Sequence, residues 1–166
     1  HPMLNQWIDD HIRHCRPDRV VWWRGTSAQY EETLAMMVKS GAAVALDSVK
    51  RPGCYLFRTH PSDVARVENR TFISSERLAD AGPTNNWIEP TRLKSILSGL
   101  FAGSRVGRTM YVIPFVMGPL RSPFSKIAVL LTDSPYVAVN MQIMTRTGDA
   151  VLAAIGTEGA FVPCLH

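Results

Sequence analysis

Two short apolar runs dominate the hydropathy pattern. Residues 110–117 read Met-Tyr-Val-Ile-Pro-Phe-Val-Met, and residues 127–131 read Ile-Ala-Val-Leu-Leu. Both are rich in β-branched or aromatic residues and bounded by Gly or Pro, which predicts buried strands. Gly118-Pro119 and Ser122-Pro123 turn the chain between them, predicting an antiparallel hairpin. Thr132-Asp133-Ser134-Pro135 then starts a helix, with Asp133 or Ser134 as cap and Pro135 in the first turn. Val137, Met141 and Met144 mark one face of that helix, which is expected to close at Gly148. Residues 105–147 thus form a hydrophobic unit on which the other elements pack.

The remaining pattern alternates between short extended and helical pieces. Residues 4–15 predict a helix with Trp7, Ile8 and Ile12 on one side, ended by Pro17. A strand follows over 19–23 and breaks at Gly25. Thr26 and Gln29 have the spacing of a capping box, in which the hydroxyl and the amide satisfy free N–H groups at a helix start. Tyr30, Leu34, Met37 and Val38 continue at helical spacing to Gly41. Residues 44–46, 54–57 and 71–73 read as short strands, and 77–86 as a loop. Pro90 opens a helix whose Leu93, Ile96, Leu97, Leu100 and Phe101 form an apolar stripe, capped by Gly103. Asp149 is expected to cap a short helix ending at Gly156, and Phe161-Val162 begins an extended piece. Strands alternating with helices, plus one hairpin, predict an α/β (α+β) fold with a mixed sheet flanked by helices.

The chain of 166 residues is read as a single domain, 1–166, large enough for a real core. Its 18 basic and 14 acidic residues leave a net charge of +4, spread rather than clustered. That does not demand nucleic acid or a membrane and suits an anionic small molecule as well. Cys15, Cys54 and Cys164 are odd in number and widely spaced. They give no disulfide framework, which favours a reducing, cytoplasmic setting. No apolar run reaches the roughly 18 residues of a membrane span.

Candidate chemistry is sparse. Residues 103–109 suggest a phosphate loop, but the glycines are one residue too close, Arg108 stands for Lys, and a strand follows. A helix cap and turn is the better reading. His11, His14 and Cys15 fall at helical spacing and lack a fourth metal ligand. Glu31-Glu32 and Asp9-Asp10 read as solvated charges, and Met36, Met37, Met141 and Met144 as core filler. The remaining candidate is 62–68, Ser-Asp-Val-Ala-Arg-Val-Glu. By residue type it is first a surface pair of Arg with Asp or Glu. The functional reading is a guanidinium fork gripping a carboxylate through two oxygens.

Several motifs carry a family resemblance. "GRTMYVIPF", "MGPL", "LTDSPYV" and "IMTR", together with "DVARVE" and "AGPTNNW", resemble the N-terminal domain of the GTP-dependent phosphoenolpyruvate carboxykinases. The resemblance runs from the first helix to Cys164-Leu165-His166. It implies that Arg66 binds the carboxylate of oxaloacetate or phosphoenolpyruvate, and that Glu68 matches an acidic residue coupling the site to a mobile lid. It implies the reaction of oxaloacetate with GTP to phosphoenolpyruvate, GDP and carbon dioxide, a gluconeogenic step. Manganese and GTP are expected to bind outside this segment, so the segment alone is expected to be inactive.

Three departures stand out against the family pattern: Arg24 where relatives have Asp in Asp-Gly-Ser, Arg121 where they have Gly, and Val116 where they have a small residue. They leave open a second reading, a diverged non-catalytic module binding a small anion or a protein. A domain cut within its sheet also exposes an edge and apolar surface, which predicts self-association.

Overall fold

The computed structural model describes residues 1–60, 67–120 and 122–166. Along the chain they form α1 (Pro2–Cys15), β1 (Arg19–Trp22), α2 (Ser27–Lys39), β2 (Val44–Ala45) and β3 (Tyr55–Leu56). Next come a 3-10 turn (Glu68–Arg70), β4 (Phe72–Ile73), a second 3-10 turn (Leu78–Ala81), β5 (Asn86–Trp87) and α3 (Pro90–Phe101). β6 (Thr109–Val116), β7 (Ile127–Thr132), α4 (Pro135–Met144), β8 (Arg146–Thr147), α5 (Asp149–Ile155) and β9 (Val162–Leu165) complete it.

The main sheet is mixed, in the order β1-β6-β7-β9, with β8 also on β6. β6 pairs parallel with β1 along its first half and antiparallel with β8 at Phe115 and Val116. β7 returns antiparallel to β6, as the Gly-Pro turns require, and pairs parallel with β9. Helices cover both faces. Tyr111 and Ile113 point into a cluster with Trp23, Leu34, Met37, Ala138 and Val139, supplied in part by α2 and α4. Met110 and Val112 point the other way, to Leu4 and Ile8 of α1, Ile155 of α5, and Val129 and Leu131. A strand covered on both faces has no solvent side, so β6 reads as an unbroken apolar run. Each such side chain contributes about 1.5–3 kcal/mol by burial.

α1 is stitched to the far end of the chain. His1 caps it by accepting from Leu4 N at 3.0 Å, and the other ring nitrogen meets Gly159 O at 2.8 Å. The His1 and Trp7 rings both pack on Phe161, with centroids 5.7 Å away in each case.

Several local expectations change. Thr26 Oγ1 accepts from Gln29 N at 3.2 Å, but the Gln29 side chain reaches past Thr26. Its Oε1 accepts from Arg24 N at 2.8 Å and its Nε2 donates to Trp22 O at 2.9 Å. The amide therefore ties α2 to the end of β1 rather than closing a box. α4 ends at Met144, three residues before the β8 terminus, because Arg146 and Thr147 pair with β6 instead of continuing the helix. Its fully buried residues are Ala138 and Val139, and Met144 is 64% exposed. Met36 is exposed as well, so of the four methionines read as core filler Met37 is buried and Met141 packs on the core edge. Gly148, not Asp149, is the N-cap of α5.

β2 and β3 form a small antiparallel sheet, and β4 and β5 a small parallel one. The expected loop at 77–86 thus holds a 3-10 turn and leads into a strand. α3 is the largest departure. Its apolar stripe exists, but no residue of α3 is buried, and Ile96, Leu97 and Leu100 are exposed.

Candidate functional site

The segment after residue 66 folds around hydrogen bonds rather than apolar packing. Glu68 opens a single 3-10 turn, and Thr71 Oγ1 donates to Val67 O at 2.9 Å. Asn86 Nδ2 donates to Glu68 O at 2.7 Å and to Thr71 O at 3.1 Å, so one amide spans the turn. Next to it, Trp87 Nε1 donates to Ser75 O at 3.0 Å, and Asn85 Nδ2 donates to Ala81 O at 2.7 Å. Arg77 and Asp80 make a two-pronged pair at 3.2 and 2.8 Å beside them.

This scaffold frames an open cleft of about 860 Å³, lined by Val67, Glu68, Asn69, Thr71, Thr84, Asn85 and Asn86. Among the described residues its lining offers amides, hydroxyls and one carboxylate but no cation. A carboxylate bound there would be held more strongly with a cation from adjoining residues, because charge-assisted hydrogen bonds are the stronger ones. Glu68 is therefore placed on the wall of a cleft. Arg66 lies outside the described residues, as do Asp63 and Arg121.

The other candidates resolve locally. His11 Nδ1 sits 2.7 Å from Trp7 O and His14 Nε2 sits 2.9 Å from Ser98 O, while Cys15 is fully buried. Among the described residues no three or more His, Cys, Asp or Glu side chains group as metal ligands. Gly103 and Gly107 are turn residues, with Gly103 N donating to His14 O and Gly107 N to Asp18 Oδ1. The stretch is thus a helix cap and a turn into β6. Among the described residues, no helix is long and apolar enough to cross a membrane.

Two contributions escaped the sequence reading. Asn86 fixes the Glu68 turn, and its only trace in the sequence is the Asn-Asn-Trp run. Arg105 is a buried cation, 1% exposed, at the start of the central unit.

Residues 6–166 match the family described as phosphoenolpyruvate carboxykinase N-terminal domain. The chain belongs to this family. Similar proteins, each named phosphoenolpyruvate carboxykinase [GTP], occur in several bacteria. The protein of Treponema pallidum strain Nichols is 52% identical over all 166 residues, and that of Chlamydia caviae 51% over the same length. The protein of Corynebacterium glutamicum strain R is 50% identical over 163 residues, 98% of this chain. The chain spans 26%, 28% and 27% of these relatives respectively, about a quarter of their length.

In this carboxykinase N-terminal domain, the departure at Arg24 has a local partner. Arg24 Nε and Nη2 lie 3.0 and 2.9 Å from Asp149 Oδ2. The basic residue is thus accommodated at the surface without disturbing β1 or α5.

Proposed function

We propose that this chain is the N-terminal, substrate-binding part of a GTP-dependent phosphoenolpyruvate carboxykinase. The full-length enzyme converts oxaloacetate and GTP to phosphoenolpyruvate, GDP and carbon dioxide. The observation that carries the reading is identity of 50–52% to proteins of that name across essentially the whole chain. Within it, Arg66 is the proposed source of positive charge for a substrate carboxylate near Glu68. Its planar fork holds a carboxylate of oxaloacetate or phosphoenolpyruvate through two parallel hydrogen bonds. Glu68, two residues on, couples that grip to movement of a lid.

Manganese, when bound, neutralises charge that develops as carbon dioxide leaves and the phosphoryl group moves. On this reading both the metal and the nucleotide bind to residues beyond this segment. This segment contributes orientation: a keto acid held at one carboxylate keeps its reacting carbonyl in a fixed place. The protein works in the cytoplasm.

The test is turnover by the full-length protein of the source organism. Oxaloacetate-dependent GTP consumption by the full-length chain, with none by the 166-residue polypeptide, is the expected result. Consumption by the polypeptide alone, or a full-length protein without this activity, overturns the assignment.

A further inference from the structure

The turn that carries Glu68 gets little help from burial. Val67, Phe72 and Ile73 are all exposed. β4 meets β5 through Phe72 opposite Asn86 and Ile73 opposite Trp87. The turn itself is one short 3-10 piece, Glu68–Arg70, and such pieces have poor hydrogen-bond geometry of their own.

What fixes its shape is the bonding of two successive carbonyls. Val67 O accepts from Arg70 N at 3.0 Å and from Thr71 Oγ1 at 2.9 Å. Glu68 O accepts from Thr71 N at 3.2 Å and from Asn86 Nδ2 at 2.7 Å. All but the last of these bonds arise inside the segment 67–71. The last comes from 18 positions away, and the same Nδ2 also reaches Thr71 O at 3.1 Å. An amide nitrogen carries two N–H groups, one for each carbonyl. The Asn86 side chain thus bridges the first residue of the turn and the residue after its end, and opening the turn breaks both bonds. The clamp is itself anchored, because the neighbouring Trp87 Nε1 donates to Ser75 O at 3.0 Å and lies 3.1 Å from Ser75 Oγ. Glu68 and Asn86 line the same cleft.

We infer that Asn86 is a positioning residue for the reaction. Its two N–H groups hold the Glu68 turn closed and so keep the Glu68 carboxylate at one place on the cleft wall. This rests on the reading that Glu68 serves the reaction of a longer carboxykinase. Asn86 spends its donors on the two carbonyls and acts through Glu68. A carboxylate already fixed in the free protein loses less freedom when the site is occupied.

The test uses the full-length protein with Asn86→Asp, Asn86→Ala, Glu68→Gln and the double variant of Asn86→Ala with Glu68→Gln. Asp keeps the shape of Asn and has no N–H, whereas Ala removes the group without adding charge. Each Asn86 variant is expected to lower kcat/KM for oxaloacetate by roughly threefold to tenfold, the range for losing ordinary hydrogen bonds. The double variant should lose no more than the worse of its two single variants, because residues that act as a unit are not additive. Losses that multiply, or wild-type kcat/KM in any of the single variants, overturn the inference. Amide exchange read by mass spectrometry supplies the structural arm. Exchange at Arg70 and Thr71 should quicken in both Asn86 variants while that of β6 stays unchanged. Unchanged exchange at the turn, or faster exchange throughout the domain, overturns it as well. The two ideas fail separately: an active wild-type protein with multiplying losses sinks only the role of Asn86, and a wild-type protein without oxaloacetate-dependent GTP consumption sinks the parent reading.

Discussion

Arg24 at the end of β1 and Asp149 at the start of α5 form an ion pair with Nη2–Oδ2 of 2.9 Å, 125 residues apart in sequence. The pair sits over a tight backbone crossing. A Cβ on Gly148 would stand 2.1 Å from Arg24 O, and one on Gly25 would stand 2.8 Å from Thr147 O. Asp149 raises the Arg24 pKa first through the hydrogen bond and then through its charge. Both side chains are more than half exposed, so the pair adds little stability, and the backbone crossing matters more.

Gly148→Ala is expected to destabilise the domain by about 3 kcal/mol or more, since it combines a backbone clash with a φ of +92° that side chains rarely adopt. Urea unfolding followed by far-UV circular dichroism measures it. A change under half of that would mean the crossing is loose in solution.

Exchange of Arg24 for Asp puts like charges together and is expected to lower the melting temperature at low salt. The double exchange Arg24→Asp with Asp149→Arg should recover most of the loss. Equal melting temperatures for all three proteins would show that the pair does not form in solution.

Glu89 caps α3 by accepting from Thr91 N and Arg92 N, both at 2.8 Å. The Thr91 bond first and the Arg92 bond second hold its pKa below the ordinary glutamate value. A depressed carboxylate adds stability fully present above the unfolded pKa, and that stability is lost as pH falls through the folded one. Helix content is therefore expected to drop on acidification below the usual carboxylate range, and Glu89→Ala should lose helix at neutral pH and respond less to acid. Identical acid titrations of the two proteins would count against the cap.

If Arg66 grips the substrate carboxylate as proposed, Arg66→Gln in the full-length protein removes that fork. The loss of charge-assisted hydrogen bonds, about 1.5–3 kcal/mol, corresponds to roughly tenfold to hundredfold in kcat/KM for oxaloacetate. Asn86→Leu should act more weakly, because it only frees the Glu68 turn that Asn86 spans. A wild-type kcat/KM for Arg66→Gln would end the proposed role of that residue.

The 166-residue polypeptide is expected to self-associate through the exposed stripe of α3 and the open edge of β9. Leu100, 69% exposed, is a suitable probe. Light scattering should show larger species that Leu100→Glu diminishes, whereas a dilute, stable monomer before substitution would contradict the idea.

The central hairpin was legible because β6 and β7 are buried on both faces, and their Val, Ile and Leu runs have no competing reading. α3 was legible as a helix but not as a surface. Periodicity shows that Leu93, Ile96, Leu97 and Leu100 share a side, and says nothing about what covers that side. β5 and β8 were missed because Asn86-Trp87 and Arg146-Thr147 lack the apolar runs by which the equally short β2, β3 and β4 were read. Their pairing is decided by Ile88 N reaching Ile73 O and Gly148 N reaching Pro114 O. Motif resemblance located Glu68 in its segment, while the role of Asn86 depends on a bond across 18 positions that no local pattern encodes.

The contact of His1 with Gly159 and the packing of Trp7 on Phe161 set a timetable for biosynthesis. α1 emerges from the ribosome before its partners β6, β7 and α5, which come about a hundred residues later. At about 5–20 residues per second, its apolar side waits several seconds for a place to dock. Chaperones that hold nascent helices have that interval in which to act, and synonymous codons that slow translation before residue 109 should prolong it.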